Sequence, residues 1–249
     1  MCKFFSFVTE PEGHGGRRFY FDWDYRKYHL VGEDCADSHS SICTHFGLSE
    51  DKCNKYEYNP FTRNFVVDQI NSNIDDKAQV EEWVNALDFK RIVEPLIVKP
   101  IINPFSIAPT EAPGAEQIRL LKEWANVYAS VGAHVWASVG ANVYARVRDS
   151  VGASIWDSVW DSVEDSVGAS VWASVRDSVE DSVGAYSSSF FDIKFDHDYS
   201  SCVKLWEMGL VPSFEGTTWR LHSGENADIV FEISKEELEK MKGKENVEN

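Results

Sequence analysis

The chain has 249 residues and a formal net charge of −17, and 43% of its residues are hydrophobic. That apolar fraction is large enough for a folded core, so the composition excludes a wholly disordered chain. The acidic balance excludes general nucleic-acid binding and argues against docking on anionic lipid, because both need a basic surface.

The sequence predicts a cytoplasmic protein with no membrane partner. No apolar run approaches the roughly 18 to 20 residues that span a bilayer. Residues 1–10 lack the apolar stretch and small-residue cleavage site of a signal peptide. The five cysteines are odd in number, which fits reduced thiols better than a disulfide framework.

The N-terminal part, residues 1–115, predicts an α+β module. One helix is expected to begin at Asp75 or Asp76 as its N-cap and to end near Leu87, with Val80, Val84 and Leu87 on one face. The prolines of a later apolar run exclude it from a long helix or a central strand. The strand candidates are Lys3–Thr9, Arg18–Trp23 and Phe65–Ile70, and the proline-broken run is Ile92–Pro104.

Cysteine and histidine residues are dense between positions 35 and 53. Zinc prefers these ligand types in a tetrahedron, although the segment contains no Cys-x-x-Cys pair. Two other interpretations stay open: a loop with ordinary free thiols, and a nucleophilic pair of Cys43 with His39. A zinc site would use Cys35, His39, Cys43 and either Cys53 or His45.

The middle part, residues 116–185, contains a tetrapeptide repeat. Fifteen valine or isoleucine residues stand four apart from Val127 to Val183, and the residue two positions after each is alanine or aspartate. Glycine directly follows this apolar residue at Gly152, Gly168 and Gly184. Self-similarity at a fixed period is typical of repeat architectures, in which neighbouring units share a core.

The period of four excludes a single straight amphipathic helix. Each four-residue step overshoots a full turn by about 40°, so the valines would wind around the axis. Two folds avoid this: short helices broken near the Gly-Ala pairs, and a β-solenoid with a glycine at the corner of each coil. The solenoid would turn aspartates inward unless its sides had sharp corners, and buried carboxylates are costly. We therefore favour short helices and keep the solenoid as the alternative.

The position directly after each repeated valine or isoleucine varies, and we call it the variable slot. It carries tryptophan, tyrosine and arginine, which are enriched at binding hot spots, as well as glycine and glutamate. A neutral spacer of variable length is the favoured interpretation, and a variable recognition surface is the alternative. If the slot forms a recognition surface, its partner-binding residues are Trp136, Tyr144, Arg148, Trp156, Trp160, Trp172 and Arg176.

The C-terminal part, residues 186–249, predicts a small β-hairpin module. Its strands are expected over Thr218–His222 and Asp228–Ile233, on either side of a short turn. Ser234 is then expected to cap a short acidic helix, with Glu237 at the capping-box position. The whole chain is thus predicted to be α+β, with the repeat between two modules.

The repeat unit Asp157–Val163 resembles that of a set of uncharacterised proteins from phage and bacterial metagenomes. Three segments after the repeat are similar as well: Gly184–Phe191, Leu205–Phe214 and Thr218–His222. The resemblance implies a phage or mobile-element origin. It implies no activity and no functional residue.

These observations predict a non-enzymatic protein that acts as an interaction scaffold or spacer with a protein partner. No cofactor is expected apart from zinc at the cysteine and histidine residues described above. Two alternatives stay open. One is an enzyme or a nucleotide- or metal-binding module within residues 1–115, and the other is a phage anti-defence protein that binds a host factor.

Overall fold

The computed structural model describes residues 5–12, 19–21, 38–91, 96–108, 112–132, 134–147 and 152–241. Within these ranges it contains eight α-helices and two antiparallel sheets, which confirms the predicted α+β class. None of the helices in these ranges combines the length and the apolar character needed to cross a bilayer.

The chain divides into two compact units, and repeat residues occur in both. The first unit comprises Met1–Pro100, Val143–Val159 and Phe191–Ile193. The second unit comprises Ile101–Asn142, Trp160–Phe190 and Lys194–Asn249.

The first unit contains a sheet made of β1 (Phe5–Thr9), β2 (Phe19–Tyr20), β3 (Asn54–Asn59) and β4 (Asn64–Gln69). Their spatial order is β2-β1-β3-β4, and each neighbouring pair is antiparallel. Buried and half-buried residues alternate along β3 because successive side chains of a strand point to opposite faces. The structure places β4 where the sequence predicted a strand.

Two helices of the first unit are α1 (His39–Phe46) and α2 (Lys77–Asn85). The Ser38 hydroxyl caps α1 by accepting from the Ser41 backbone N–H at 3.1 Å, and Gly47 ends the helix in the left-handed conformation, with φ of 67°. Ile42 and Cys43 of α1 are buried in an apolar cluster with Val8 and Cys53. The segment is therefore a helix, and the interpretation of it as a loop is wrong over His39–Phe46.

The helix predicted from Asp75 or Asp76 is α2. Asp76 stands at its N-cap, but its carboxylate accepts instead from the Asn54 side chain at 2.9 Å and from the Tyr56 hydroxyl. The Asp75 carboxylate accepts from the backbone N–H of Lys77 at 3.1 Å and so satisfies one N–H group of the first turn. Val80 and Val84 of the predicted apolar face are fully buried, whereas Leu87 is half-buried and lies after α2 ends at Asn85.

Four helices cover the described residues of the repeat: α3 (Ala115–Val131), α4 (Val135–Val147), α5 (Gly152–Val167) and α6 (Ala169–Ser188). No strand and no closed solenoid occurs in the part of the repeat that the structure describes. Connections lie at Gly132 and Gly168, whose φ angles of 70° and 83° suit glycine because it has no Cβ. The repeated valines that are buried are Val135, Val139, Val143, Val159, Val163, Val167, Val179 and Val183.

The second unit also contains α7 (Ser200–Glu207), a sheet of β5 (Val211–Glu215), β6 (Thr218–Ser223) and β7 (Asp228–Ser234), and α8 (Lys235–Lys240). The strands are antiparallel in the order β5-β6-β7, so the predicted hairpin is confirmed as β6 and β7. The predicted capping box is confirmed as well. The Ser234 hydroxyl accepts from the Glu237 backbone N–H, and the Glu237 carboxylate accepts from the Ser234 backbone N–H at 3.2 Å.

An extended segment of the second unit is fixed by its backbone at Ile102. Its N–H donates to the Tyr186 hydroxyl, and its carbonyl accepts from the Trp206 indole, both at 2.8 Å. The Tyr186 and Trp206 rings stack with their centroids 4.6 Å apart. Among the described residues of the proline-broken run there is no long helix or sheet strand, as predicted, and Pro104–Ser106 forms one 3₁₀ turn.

Candidate partner-binding site

The second unit contains a pocket of about 280 Å³ with aromatic walls. Helix α3 supplies Trp124 and Tyr128, helix α4 supplies Trp136, and the sheet supplies Phe214 and Trp219. The other residues around the pocket are His134, Ala137, Glu180, Asp181, Ser182, Pro212 and Ser213.

Contacts between the rings fix the aromatic wall. The Tyr128 and Trp219 rings meet edge to face with centroids 5.2 Å apart, and Phe214 lies 5.5 Å from Tyr128 and 4.8 Å from Trp219. Such offset and edge-to-face arrangements are the favoured geometries of aromatic pairs. The wall is therefore held in place before any ligand binds. Trp136 is the most open of the five rings, with 38% of its surface exposed.

A carboxylate from α6 stands at one side of the pocket. The Asp181 carboxylate accepts hydrogen bonds from two backbone N–H groups, that of Val135 at 3.1 Å and that of Trp136. It also accepts from the Tyr128 hydroxyl. It thereby caps the first turn of α4 from a different helix, because the first N–H groups of a helix have no partner within it. Burial raises the pKa of the Asp181 carboxyl, and the three hydrogen bonds act in the opposite direction.

Several residues of the variable slot meet around this pocket. Tyr128, Trp136 and Glu180 all occupy the slot, and all three line the pocket. Trp160, another slot residue, contacts Trp136 edge to face with centroids 5.7 Å apart. The slot therefore brings residues together that are as far apart in sequence as positions 128 and 180.

A slot glycine permits the close approach of α6 to α4. A Cβ atom built on Gly184 would lie 3.1 Å from the Cα atom of Trp136, which is tighter than ordinary van der Waals contact. Glycine at this position therefore allows the backbone of α6 to touch the helix that carries Trp136.

A second pocket of about 150 Å³ shares the Tyr128, Phe214 and Trp219 rings with the first. Its remaining residues are small or apolar side chains together with one lysine and one glutamate: Ala125, Asn126, Ala129, Gly132, Lys235, Leu238 and Glu239. The two pockets differ in charge, since Glu180 and Asp181 line only the first.

The slot residues predicted to bind a partner have different environments. Trp136 is partly exposed at the pocket, and Trp160 is half-buried and contacts the Trp136 ring. Trp156 is 1% exposed and contacts Phe191 within the first unit, with ring centroids 6.0 Å apart, so its indole belongs to the core. Of the remaining four, Arg148 lies outside the described residues. The structure describes the backbone of Tyr144, Trp172 and Arg176 but not their side chains. Their partner-binding role stays a prediction.

The predicted zinc ligands lie partly in the apolar cluster of the first unit. Cys43 and Cys53 are buried there as free thiols, and the Cys53 thiol donates to Cys43, which lowers the pKa of Cys43 and raises that of Cys53. His39 hydrogen-bonds the Tyr56 carbonyl at 3.0 Å and lies 3.4 Å from the Asp68 carboxylate, and His45 is exposed. Within the described residues, no three histidine, cysteine or acidic side chains are grouped as metal ligands. Cys35 lies outside those residues, and zinc binding stays a prediction.

A serine and a histidine form a buried pair in the sheet of the second unit. The Ala227 carbonyl can only accept, so His222 donates to it from Nδ1 at 3.0 Å, and its Nε2 accepts from the Ser213 hydroxyl at 2.8 Å. This is the tautomer of a general base, but Ser213 and His222 are only 2% and 5% exposed. The pair satisfies polar groups inside the sheet. Burial lowers the pKa of His222.

Most residues of the pocket were not predicted from the sequence. Tyr128 and Glu180 occupy the same slot as the tryptophans, so the slot pattern itself could have included them. No sequence signal marks Phe214 and Trp219 as neighbours of Tyr128, because strands β5 and β6 reach it only through the tertiary fold. Comparison with protein-family models, curated proteins and solved structures found no match.

Proposed function

We propose that the protein is a non-enzymatic interaction scaffold that binds a protein partner through the aromatic pocket of its second unit. The observation that carries this proposal is the meeting of three variable-slot residues, Tyr128, Trp136 and Glu180, around one pocket. Aromatic side chains dominate the energetics of protein interfaces when they lie in well-packed pockets.

The size of the pocket favours a side chain of a protein as its occupant. A volume of about 280 Å³ lies at the lower limit of the roughly 300 to 1,000 Å³ of drug-sized ligand sites. A single anchor residue of a partner segment would fill it. The preformed ring contacts would reduce the cost of ordering the site on binding.

In this proposal the repeat is a set of short helices that present the variable slot. The helix breaks at Gly132 and Gly168 limit how far the valine stripe rotates, while the slot position supplies both helix contacts and pocket residues. Changes confined to the slot positions that line the pocket, Tyr128, Trp136 and Glu180, would alter the pocket and keep the repeated valines, so the repeat is suited to variation in partner.

We further propose that the protein acts in the cytoplasm of a host cell and originates from a phage or mobile element. The origin is supported by the resemblance of its repeat and of the segments that follow it. The compartment is supported by three buried free thiols, Cys43, Cys53 and Cys202, since free buried thiols are typical of a reducing compartment.

The test is selection of binders from a display library of random twelve-residue peptides on the full-length protein. We expect enriched peptides to lose at least about tenfold in affinity for Trp136→Ala, the loss expected for a hot-spot aromatic. They should retain affinity for Ile229→Ala, a matched control that truncates an exposed apolar residue of β7 outside the pocket.

A second variant separates loss of binding from loss of folding. Ala137→Trp places a large side chain into the pocket from an exposed position of α4, and it removes no native contact of the aromatic wall. We expect it to abolish peptide binding while circular dichroism stays native. The proposal is wrong if no peptide is enriched, or if the enriched peptides bind Ala137→Trp as well as the native protein.

A further inference from the structure

We propose that the occupant of the aromatic pocket is a cationic side chain, the guanidinium or ammonium group of an arginine or lysine in the partner. This inference rests on the proposed function and specifies the chemistry of the same site. It follows from the charges that line the pocket and from the faces of its aromatic rings.

The formal charges around the pocket are negative. Glu180 and Asp181 contribute two carboxylates, and neither lysine nor arginine occurs among the residues that line it. The donors to Asp181 are two backbone N–H groups and a tyrosine hydroxyl, which are dipoles and carry no formal charge. They orient the carboxylate and leave its charge to attract a cation. His134 is the one lining residue with a basic side chain.

The aromatic rings favour the same sign of charge. The face of an indole or phenol ring is the negative part of its quadrupole, and it attracts a cation that lies within about 6 Å of its centroid. Trp136, Tyr128 and Phe214 are not fully buried, and they line the pocket together with Glu180 and Asp181. An alkyl stem of lysine or arginine would bury its methylene groups on these rings while its charged end reaches Glu180.

The second pocket provides an internal comparison. It shares Tyr128, Phe214 and Trp219, but its lining has one lysine and one glutamate, so its formal charges balance. Aromatic rings alone would make both pockets suitable for a cation. The carboxylates distinguish the first pocket, and the net charge of −17 would raise the local concentration of a basic partner near the whole chain.

The test uses small probes at pH 7.5 and low salt with the full-length protein, followed by saturation-transfer NMR. N-acetyl-arginine methylamide and N-acetyl-lysine methylamide carry the cation, and N-acetyl-citrulline methylamide is the neutral isostere of the arginine probe. We expect at least one cationic probe to bind about fivefold or more tightly than the citrulline probe. The relative affinities of the arginine and lysine probes identify which cation the pocket prefers.

Charge-neutralising variants locate the effect. Glu180→Gln should weaken the cationic probe about threefold to fivefold and leave the citrulline probe unchanged, since an exposed carboxylate contributes about 1 kcal/mol or less. The matched control is Glu225→Gln, which removes an exposed carboxylate of the same unit that does not line the pocket. Equal binding of arginine and citrulline probes, or equal weakening by the two variants, would overturn the inference.

The outcomes for the two proposals are distinguishable. If library peptides bind the pocket through anchors that are neither arginine nor lysine, the cation inference fails and the proposed function stands. If the cationic probes bind in a Glu180-dependent way but no peptide is enriched, the inferred chemistry of the pocket stands and the protein-partner function fails.

Discussion

The variable slot contributes tryptophans to both units, and two of them, Trp156 and Trp136, have opposite environments. Trp156 belongs to the first unit, where 1% of its surface is exposed and its ring contacts Phe191. Trp136 belongs to the second unit, where 38% of its surface is exposed beside the pocket. Both directly follow a repeated valine or isoleucine, Ile155 and Val135 respectively.

The difference shows that a variable slot can supply either the core or a surface. Whether a slot side chain is buried or exposed depends on the segments that pack against its helix. Near Trp136, the Asp181 carboxylate holds the first turn of α4, and Gly184 lets the backbone of α6 pass close to it. These contacts involve the backbone that carries Trp136, while its side chain stays 38% exposed. Tryptophan in the slot is thus not by itself evidence of a binding surface.

Truncation of each tryptophan tests this comparison and is expected to give the largest effect. Trp156→Ala should lower the free energy of unfolding by about 3 to 5 kcal/mol, because it leaves a large cavity in the core. Trp136→Ala should lower it by only about 1 kcal/mol, because the ring is already partly in water. Urea unfolding followed by far-UV circular dichroism measures both values.

The peptide-binding assay tests the other half of the comparison, the role of Trp136 at the surface. Trp136→Ala is expected to lose binding while it remains folded. Equal stability losses in the two variants would contradict the distinction between core and surface.

Local signals in the sequence predicted the last hairpin and helix of the C-terminal part but missed α7 and β5. The hairpin of β6 and β7 has its turn residues between two apolar runs, and the capping box of α8 depends only on Ser234 and Glu237. Helix α2 was also predicted, although Asp76 turns away from its cap to accept from Asn54 and Tyr56. Those hydrogen bonds depend on β3, a strand about twenty residues earlier in the chain. The hydrophobic periodicity of the helix does not reveal this contact.

The pocket could not be predicted because its parts meet only in three dimensions. Asp181 repeats the aspartate position of the tetrapeptide, and nothing in its sequence context distinguishes it from the other aspartates there. Its role as the cap of α4 follows from the packing of two helices. The glycines are equally ambiguous: Gly168 ends a helix, whereas Gly184 lies inside one at a close contact.

A matched pair of glycine substitutions sharpens the comparison between slot positions. Gly184→Val should lower the free energy of unfolding by about 1 to 3 kcal/mol, because its side chain would collide with the backbone of Trp136. Gly140→Ala, at another slot position inside α4, should raise it by about 0.5 to 1 kcal/mol. A Cβ atom at Gly140 meets nothing within 4 Å, so only the gain in helix propensity remains.

Urea midpoints and peptide affinity together measure the consequences of the glycine changes. Gly184→Val should also weaken peptide binding, because the displaced α4 carries Trp136. The close contact of α6 with α4 would have no importance for the pocket if Gly184→Val bound peptides with native affinity.

The smallest expected effect is a pH dependence that affects the second unit through His222. Burial lowers the pKa of His222 below its ordinary value of 6.5, so between these two values the unfolded chain binds more protons than the native one. The contribution of the neutral imidazole to stability is complete above about pH 6.5 and decreases as the pH falls through that window. The difference in unfolding free energy between native protein and His222→Gln should therefore shrink between pH 7.5 and pH 5.

Ser213→Ala is the matched control, because it removes the hydroxyl partner and retains the buried imidazole. It should keep most of the native pH dependence, since burial is the largest cause of the lowered pKa of His222. If His222→Gln has the same pH dependence as the native protein, the buried imidazole is not the group that titrates, and acid would weaken the second unit through its carboxylates instead.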